Sequence, residues 1–489
     1  MLNRSAITRP IFGIILLALL FGAIGFWASI QGFYFFFLVP VLLGLGFYAT
    51  VNTEKFILLT GAIAPLSINI NDIGGGLGLA LPTEPIIIVL CGFLVFRFFQ
   101  KGTLDIQVLK HPLSLAILAY IVWLWLSCIT STMPLVSFKY VIARTWYIIV
   151  FYFTLLGIFK SFSNIHFFYK AFSIFTLILV IYTLGKHATD GFVRSSSYSI
   201  SWPFFPDHGM YAAAIAFAAP LLAFYAFNGR AFNFNFLWLP VAGFFLIVLL
   251  FGIVVSYTRA TWLSLVLAMG VFVLIKLKIK FYWIVIALVS IFTYTIVNQD
   301  KILYNLESNK QGSSDELEGH VKSVGNITTD PSNMERINRW KCAGRMVDKH
   351  PLFGFGPGTF AFQYGVYQKS SELTIISTNT GDVGGAHSEF LLAMAEAGYP
   401  ALLFWTLILL FSVQTAMKVI YNSKNRQIRI TALMALLGLV TYYTHALLNE
   451  YSQYDKVAVP MWGFLAVIVA LDLYFSETKK QNTTPQLVT

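Results

Sequence analysis

Long uninterrupted runs of apolar residues alternate with short polar segments over most of the 489-residue chain. A helix that crosses a bilayer needs about 20 mostly apolar residues, and most of these runs approach that length. The pattern therefore predicts twelve to fourteen transmembrane helices, with fourteen favoured. The weakest segment is 56–70, because Pro65 and Asn69 interrupt it. The fourteen segments are 11–30, 33–51, 56–70, 85–99, 112–130, 143–159, 169–185, 209–227, 235–256, 260–275, 281–297, 390–417, 430–448 and 458–476.

The composition agrees with this pattern. Hydrophobic residues make up 57% of the chain, charged residues only 11%, and the mean hydropathy is +0.72. A soluble domain carries roughly 25% charged residues, so disorder, a coiled coil and a small secreted module are excluded. Three cysteines supply neither a disulfide framework nor a CxxC metal site. We therefore predict an all-α polytopic membrane protein.

Charged residues are concentrated in one part of the chain. Of the 33 basic and 22 acidic residues, 20 lie between Asp300 and Glu389. This distribution predicts about eleven transmembrane helices in residues 1–297 and a long hydrophilic loop with short helices in residues 298–389. About three more helices and a short tail are expected in residues 390–489.

The short loops indicate which side of the membrane each faces, because Lys and Arg accumulate in cytoplasmic loops. If the first residue is on the cytoplasmic side, the inner loops carry 18 of these cations and the short outer loops carry six. Both termini are thus predicted to be cytoplasmic and the long loop extracytoplasmic. The N-terminal segment is similar to a signal sequence, but without a convincing cleavage site it is expected to remain as the first helix. The six outer cations are Lys139, Arg144, Lys186, Arg194, Arg259 and Lys456.

The second half of the long loop has a pattern of its own. Ser332 and Glu335 have the spacing of a capping box, which predicts a helix beginning there and ending near Lys349, before Pro351. Its expected inner face consists of Ile337, Trp340, Gly344 and Val347. The glycine-rich segment Gly354–Gly358 predicts a tight turn. This helix is expected either to lie on the membrane surface or bundle, or to help form a substrate cleft, and both can hold.

Several residues on the outer side are candidates for chemistry. His387, just before the helix that follows the loop, can act as a general base or be an ordinary interfacial histidine. Arg259 lies between two apolar runs, where a cation is costly unless it has a function or serves as a topology anchor. Arg194 precedes three serines, and Asp207-His208 opens a helix. The guanidinium group of one arginine can bind two phosphate oxygens at once. These outer-side residues therefore suit a substrate that carries a diphosphate.

These segments resemble the O-antigen ligases and the O-antigen or exopolysaccharide polymerases of bacteria. Residues 335–340 (ERINRW) and 348–360 (DKHPLFGFGPGTF) are similar to the outer-loop helix and glycine turn of that family. Residues 387–398 (HSEFLLAMAEAG) are similar to the start of its next helix, and residues 256–263 (SYTRATWL) match its arginine segment more loosely. These motifs fall between 256 and 418, and the ligase-like region is expected over about 207–418.

The resemblance implies a metal-independent glycosyltransferase, without a cofactor, in the inner membrane. Its donor would be a glycan on undecaprenyl diphosphate, and its acceptor a glycan or a lipid A-core-type molecule. His387 would deprotonate the acceptor hydroxyl, and Arg259 and Arg194 would bind the diphosphate. Supporting roles would fall to Arg336, Arg339, Glu396 and His208.

Three functions stay open from the sequence. The first is ligation of a lipopolysaccharide glycan to an acceptor lipid, and the second is polymerisation of repeat units by the same reaction. The third, from another class, is transport of a polysaccharide or lipid-linked sugar without catalysis. The sequence does not identify the sugar, the linkage, the acceptor or the oligomeric state.

Overall fold

The computed structural model describes residues 39–70, 79–101, 105–279, 331–374 and 384–476, together with positions 290, 298 and 377. The chain divides into two compact units, residues 1–57 and 58–489. The described part of the first unit is helix α1 (Val39–Val51) and the beginning of helix α2 (Thr53–Ala62), which ends in the second unit. The predicted span 11–30 lies outside the described residues, and so does 281–297 apart from position 290.

The weak segment 56–70 is not a continuous transmembrane helix. Helix α2 ends at Ala62, a short 3-10 turn (Ala64–Leu66) follows at the proline, and the chain then enters strand β1 (Ile68–Ile70). Strand β1 pairs antiparallel with strand β2 (Leu79–Leu81), Ile68 facing Leu81. Helix α3 (Thr83–Lys101) begins directly after this pair. The prediction of one continuous helix over 56–70 is therefore wrong.

Within the described ranges, nine helices are long and apolar enough to cross a membrane. Each coincides with a segment predicted from the sequence, and the all-α polytopic fold is confirmed, although the total number of spans stays a prediction. The nine helices are α4 (Pro112–Ile129), α5 (Pro134–Ile158), α6 (Phe162–Thr189), α7 (His208–Phe232), α8 (Trp238–Val255), α9 (Arg259–Lys276), α11 (Glu389–Asn422), α12 (Arg426–Leu448) and α13 (Asp455–Phe475).

Burial separates central helices from peripheral ones. In α13, 94% of the apolar window is buried inside the protein, whereas the values are 28% for α8 and 22% for α9. The last helix is thus the centre of the bundle, and α8 and α9 expose most of their apolar surface. A π-helical turn, Ile149–Thr154, lies inside α5, and another, Leu471–Phe475, ends α13.

Helix α10 (Pro331–Lys349) is the long helix of the hydrophilic loop. It ends before Pro351, as predicted. It begins at Pro331, a first-turn position that favours proline, so Ser332 lies inside the helix and the predicted capping box is wrong. Of the predicted inner face only Val347 is buried, and the buried face is otherwise different because polar side chains find partners in the loop. Its members include Glu335, Asn338, Arg339, Cys342, Ala343, Met346 and Val347.

Candidate active site

The position of the site is fixed by a kink in helix α11. At Gly398 the φ angle is +76° and the ψ angle −178°, a conformation almost confined to glycine. Pro400 follows it inside the helix. A Cβ atom at Gly398 would lie 2.1 Å from the Leu352 carbonyl oxygen. The kink therefore allows the chain that follows α10 to approach the helix backbone closely.

The glycine turn 354–358 packs into this kink, and the predicted tight turn is confirmed. The Gly356 N–H donates to the Glu396 carbonyl oxygen at 2.8 Å. The Phe360 N–H donates to the Glu396 carboxylate at 3.0 Å. Glu396, predicted as a supporting site residue, is thus an anchor for the turn.

The five residues before α11 are bound to α10 on one side. The Arg339 guanidinium donates to the Gly385 carbonyl oxygen at 3.1 Å. The Trp340 indole N–H donates to the His387 carbonyl oxygen at 3.3 Å. His387 has a φ angle of +50°, which is uncommon for a residue other than glycine. Two side chains of α10 therefore help to fix the predicted base in an unusual backbone conformation.

Arg339 itself is held by an ion pair within α10. Its Nε donates to Glu335, four residues earlier in the helix, at 2.7 Å. Glu335 also accepts hydrogen bonds from Thr374 at 3.1 Å and from Ser377. Burial alone would raise the pKa of Glu335, but the hydrogen bonds from Ser377 and Arg339 hold it below its usual range. The negative charge of Glu335 therefore stays in place beside Arg339.

The same surroundings keep the imidazole of His387 neutral. Burial lowers its pKa to about 3, and the positive charges of Arg336 and Arg339 act in the same direction. Glu335 and Asp207 oppose this shift. Burial is the largest cause of this shift in the pKa of His387. His387, Arg336 and Arg339, predicted separately, lie in one cluster.

The start of helix α7 adjoins this cluster. Asp207 lies 3.2 Å from the His208 imidazole, and it accepts hydrogen bonds from the Met210 N–H at 2.9 Å and the Tyr451 hydroxyl at 3.3 Å. Burial would raise the pKa of Asp207, but the bond to His208 and backbone N–H groups lower it to about 2. His208 therefore sits beside a carboxylate that acts on His387.

Helix α9 reaches the cluster through two hydrogen bonds. The Thr258 hydroxyl donates to the His208 carbonyl oxygen at 3.4 Å. The Thr261 hydroxyl lies 3.0 Å from Nε2 of His445, a buried histidine of α12. Arg259, the first residue of α9, lies between these two threonines and is half-buried. The arginine turn therefore borders the same end of the bundle.

Arg194 begins a short helix, Arg194–Ser197, and is also half-buried. The Tyr257 hydroxyl donates to the Phe192 carbonyl oxygen at 3.0 Å. This bond joins the chain two residues before Arg259 to the chain two residues before Arg194. The segments of the two predicted diphosphate ligands are thus neighbours.

Sequence reasoning missed a buried ion pair beneath His387. Arg144, predicted in a short outer loop, lies inside helix α5, which begins at Pro134, before the predicted span 143–159. Its guanidinium lies 3.8 Å from Glu389 and donates to the Tyr140 hydroxyl at 2.6 Å. Glu389 also accepts two hydrogen bonds from Ser452, at 2.6 and 2.8 Å. The pair joins the first residue of α11 to α5 and to the loop before α13.

Lys456 was likewise predicted in an outer loop but is fully buried in the first turn of α13. Its ammonium group donates to Ser67 at 2.7 Å, to Asn69 at 2.8 Å and to Asp455 at 3.0 Å. Asn69, one of the two residues that made 56–70 a weak span, therefore binds a buried charge together with Ser67. This contact ties strand β1 to the central helix.

Glu450 is a further residue near His387 that sequence reasoning missed. Its Oε2 atom is buried and has no hydrogen-bond partner in the described part of the chain. Burial and the charge of Glu389 raise its pKa to about 8, although Arg339 and the backbone N–H groups of His387 and Ser388 oppose the shift. At neutral pH most of this carboxyl group therefore carries its proton. The dense polar run 449–456 between two spans was the signal that could have indicated it.

Within the described ranges, no three His, Cys, Asp or Glu side chains converge as a metal ion would require. The fold and the cluster define a polytopic α-helical membrane protein with a histidine, arginines and carboxyl groups gathered at one end of its helices.

Residues 244–406, a third of the chain, match the family model described as O-antigen ligase, which confirms the resemblance to that family. No curated protein matches the chain. The matched region contains Arg259, Arg336, Arg339 and His387, whereas Arg194 and His208 precede it and Glu450 follows it. The family indicates an O-antigen ligase-like enzyme of the glycosyltransferase kind, which works in polysaccharide biosynthesis as a multi-pass membrane protein.

Proposed function

We propose that this protein transfers or polymerises a glycan carried on undecaprenyl diphosphate, at the outer face of the bacterial inner membrane. The observation that carries the proposal is the cluster of His387 with Arg336 and Arg339, which borders the turn of Arg259. A base next to several cations suits a reaction in which an anionic diphosphate leaves.

Each group has one role in the proposed reaction. Arg259 and Arg194 bind the diphosphate oxygens. The acceptor hydroxyl attacks the anomeric carbon of the donor, and the bond from that carbon to the diphosphate oxygen breaks. His387 takes the hydroxyl proton, and undecaprenyl diphosphate leaves with the bonding electron pair. The chain needs no metal or cofactor for these steps.

The low pKa of His387 connects donor binding to catalysis. An imidazole with a pKa of about 3 is neutral at ordinary pH but is a weak base. A diphosphate bound by Arg259 and Arg194 adds negative charge to the cluster and opposes the effect of Arg336 and Arg339 on His387, since an opposite charge favours imidazolium. The base therefore becomes stronger when the donor is present, which restricts proton transfer to the complex.

The remaining parts of the proposal concern placement. The ligase-like region extends over about 207–418, residues 298–389 face the periplasm, and both termini are cytoplasmic. The acceptor, a glycan or lipid A-core-type molecule, enters from the periplasmic side between α10 and the helix ends. The packing of α10 and the glycine turn onto the kinked α11 supports a fixed catalytic cleft more than a moving transport path.

One experiment separates the three functions. The purified full-length protein is supplied with a defined oligosaccharide on undecaprenyl diphosphate, with and without a lipid A-core acceptor, and the products are separated by mass. Growth of the glycan chain identifies a polymerase, and its appearance on the acceptor lipid identifies a ligase. If the donor stays intact and moves across a vesicle membrane, the protein is a transporter and not an enzyme.

A further inference from the structure

A second, cationic cavity lies at the other end of the helices that carry the candidate active site. It has a volume of about 320 Å³ and is formed by the ends of α7, α9 and α11 and the start of α12. No acidic side chain lines it among the described residues. Four cations stand at its rim, Lys276, Lys278, Arg426 and Arg429.

This cavity continues into an apolar groove. The groove has a volume of about 600 Å³ and runs between α7, α8 and α9, with one residue from α12. Phe224, Asn228 and Phe272 line both spaces, so the two adjoin each other. Apart from Asn228, every described residue that lines the groove is apolar. The groove is thus an apolar channel with a positively charged end.

The cationic cavity is separate from the candidate active site. Helix α9 begins at Arg259, beside the active-site cluster, and ends at Lys276, in the cationic cavity. A helix rises 1.5 Å per residue, which puts the two ends about 26 Å apart. Since the hydrocarbon core of a bilayer is about 30 Å thick, the two sites face opposite leaflets.

We propose that the cavity and groove bind one anionic phospholipid of the leaflet opposite to the candidate active site. Its phosphate lies among the four cations, and its acyl chains occupy the groove. Basic pockets between transmembrane helices are recognised sites for anionic lipid headgroups. The exposed apolar faces of α8 and α9, only 28% and 22% buried, open the groove to the membrane. The lipid lies between the weakly packed helices α8 and α9 and the well-packed α7 and α12.

Cations at this end of the bundle are also expected as topology anchors, and the test therefore compares two pairs of cations. Lys276→Gln with Arg429→Gln removes two charges from the cavity. Arg230→Gln with Lys424→Gln removes two exposed charges from the same end that do not line it. A third variant, Ala223→Phe, fills the groove and keeps all the cations.

The full-length proteins are purified in a neutral detergent and titrated with dioleoyl phosphatidylglycerol, and bound lipid is counted by native mass spectrometry. The wild type should bind one molecule more tightly than dioleoyl phosphatidylcholine, which has the same chains without net charge. Each membrane-facing cation contributes about fivefold in affinity, so the cavity pair should lose at least tenfold. Ala223→Phe should also weaken binding, whereas the Arg230/Lys424 pair should change it less than threefold.

Melting temperatures without lipid should agree within a few degrees among the variants, which shows that each is folded. Equal losses in the two charge pairs would overturn the proposal and leave the cations as topology anchors. Unchanged lipid binding by Ala223→Phe would also overturn the proposal. The acyl chains would then not occupy the groove, and another occupant, such as residues 281–297, would fill it. If glycerol phosphate competes for the cationic cavity as well as the lipid does, the ligand is a soluble phosphate.

Discussion

His387 is neutral because it is buried among charged side chains from two distant parts of the chain, helix α10 and the start of α7. Burial is the largest cause of its low pKa, and Arg336 and Arg339 of α10 add to it. The carboxylates that oppose them, Glu335 and Asp207, have low pKa values of their own and stay ionised. A change in one of these charges should therefore change the proton affinity of the imidazole without direct contact with the substrate.

The first prediction concerns the pH dependence of turnover. In the donor-free protein the pKa of His387 is about 3, so kcat/KM should show no acid limb from this residue between pH 5 and 8. With the donor bound the pKa is higher, and kcat should fall as the pH drops through that value, because imidazolium accepts no proton. Arg336→Gln should move the kcat limb to higher pH, and Lys341→Gln, an exposed control on α10, should not.

Rates of product formation at saturating and at low donor concentration, from pH 4 to 9, test this prediction. An acid limb near pH 6.5 in kcat/KM would contradict it. That result would mean that His387 titrates like a solvated histidine, whose pKa is about 6.5.

The second prediction concerns Glu450 and stability. Its pKa in the folded protein is about 8, above the value of about 4.3 for an unfolded chain. Its contribution to stability is therefore complete below about pH 4 and is lost as the pH rises through 8. The melting temperature of Glu450→Gln, which stays neutral, should fall less between pH 6 and 9 than that of the wild type.

Glu372→Gln is the matched control for this measurement. The hydrogen bond from Arg345 holds the pKa of Glu372 below its usual range, so this carboxylate is ionised throughout pH 6 to 9. The Glu372→Gln substitution should therefore leave the slope of melting temperature against pH unchanged between pH 6 and 9. Parallel curves for the wild type and Glu450→Gln would show that Glu450 is already ionised at pH 6.

At the scale of elements, the kink in α11 and the glycine turn form one unit. Gly398 needs a backbone conformation almost confined to glycine, and a Cβ atom there would strike the Leu352 carbonyl group. The glycine turn also positions Phe355, whose carbonyl oxygen accepts a hydrogen bond from the Thr132 N–H at 2.9 Å. The contact of α4 and α5 with the loop therefore depends on the kink.

The third prediction follows from this geometry. Gly398→Ala should destabilise the protein by about 1–3 kcal/mol through backbone conformation alone, with a further loss from the clash, and should reduce turnover. Gly344→Ala in α10 is the control, because nothing lies within 4 Å of its Cβ position and alanine favours a helix. Melting curves of the two purified variants make the comparison. A melting temperature of Gly398→Ala equal to that of the wild type would show that the kink relaxes at no cost.

Elements that depend on local pattern were predicted from the sequence, and long-range contacts were not. Apolar runs located nine helices within the described chain, and glycines located the turn. The Arg144–Glu389 pair joins residues more than 200 positions apart, and a pattern along the chain has no signal for such a contact. Lys456 was placed in a loop for the same reason, because its partners Ser67 and Asn69 lie in a distant strand segment.

At the scale of the whole molecule, the candidate active site and the lipid site lie at opposite ends of α9. Sidedness in the membrane therefore decides which leaflet each one faces. The bias of 18 inner against six outer short-loop cations becomes stronger once Arg144 and Lys456 are recognised as buried helix residues. The cation bias and the burial of Arg144 and Lys456 both favour an extracytoplasmic loop at 298–389.

The fourth prediction tests this topology. Single cysteines replace Ser313 and Thr484 in a variant without Cys91, Cys128 and Cys342, and intact cells are treated with a membrane-impermeant thiol reagent. The cysteine at 313 should be labelled, and the one at 484 only after the membrane is permeabilised. Labelling of 484 alone in intact cells would reverse the orientation and put the candidate active site in the cytoplasm.

The central claim is that Arg259 and His387 serve one transfer reaction, and release of undecaprenyl diphosphate by the purified protein tests it most directly. Arg259→Ala should abolish release and Arg259→Lys should restore part of it, since lysine keeps the charge but loses the planar fork. His387→Ala should lower turnover by about 10²–10⁴-fold, with donor binding and melting temperature kept. Near wild-type release by Arg259→Ala, or an unchanged rate per folded molecule in His387→Ala, would contradict the account.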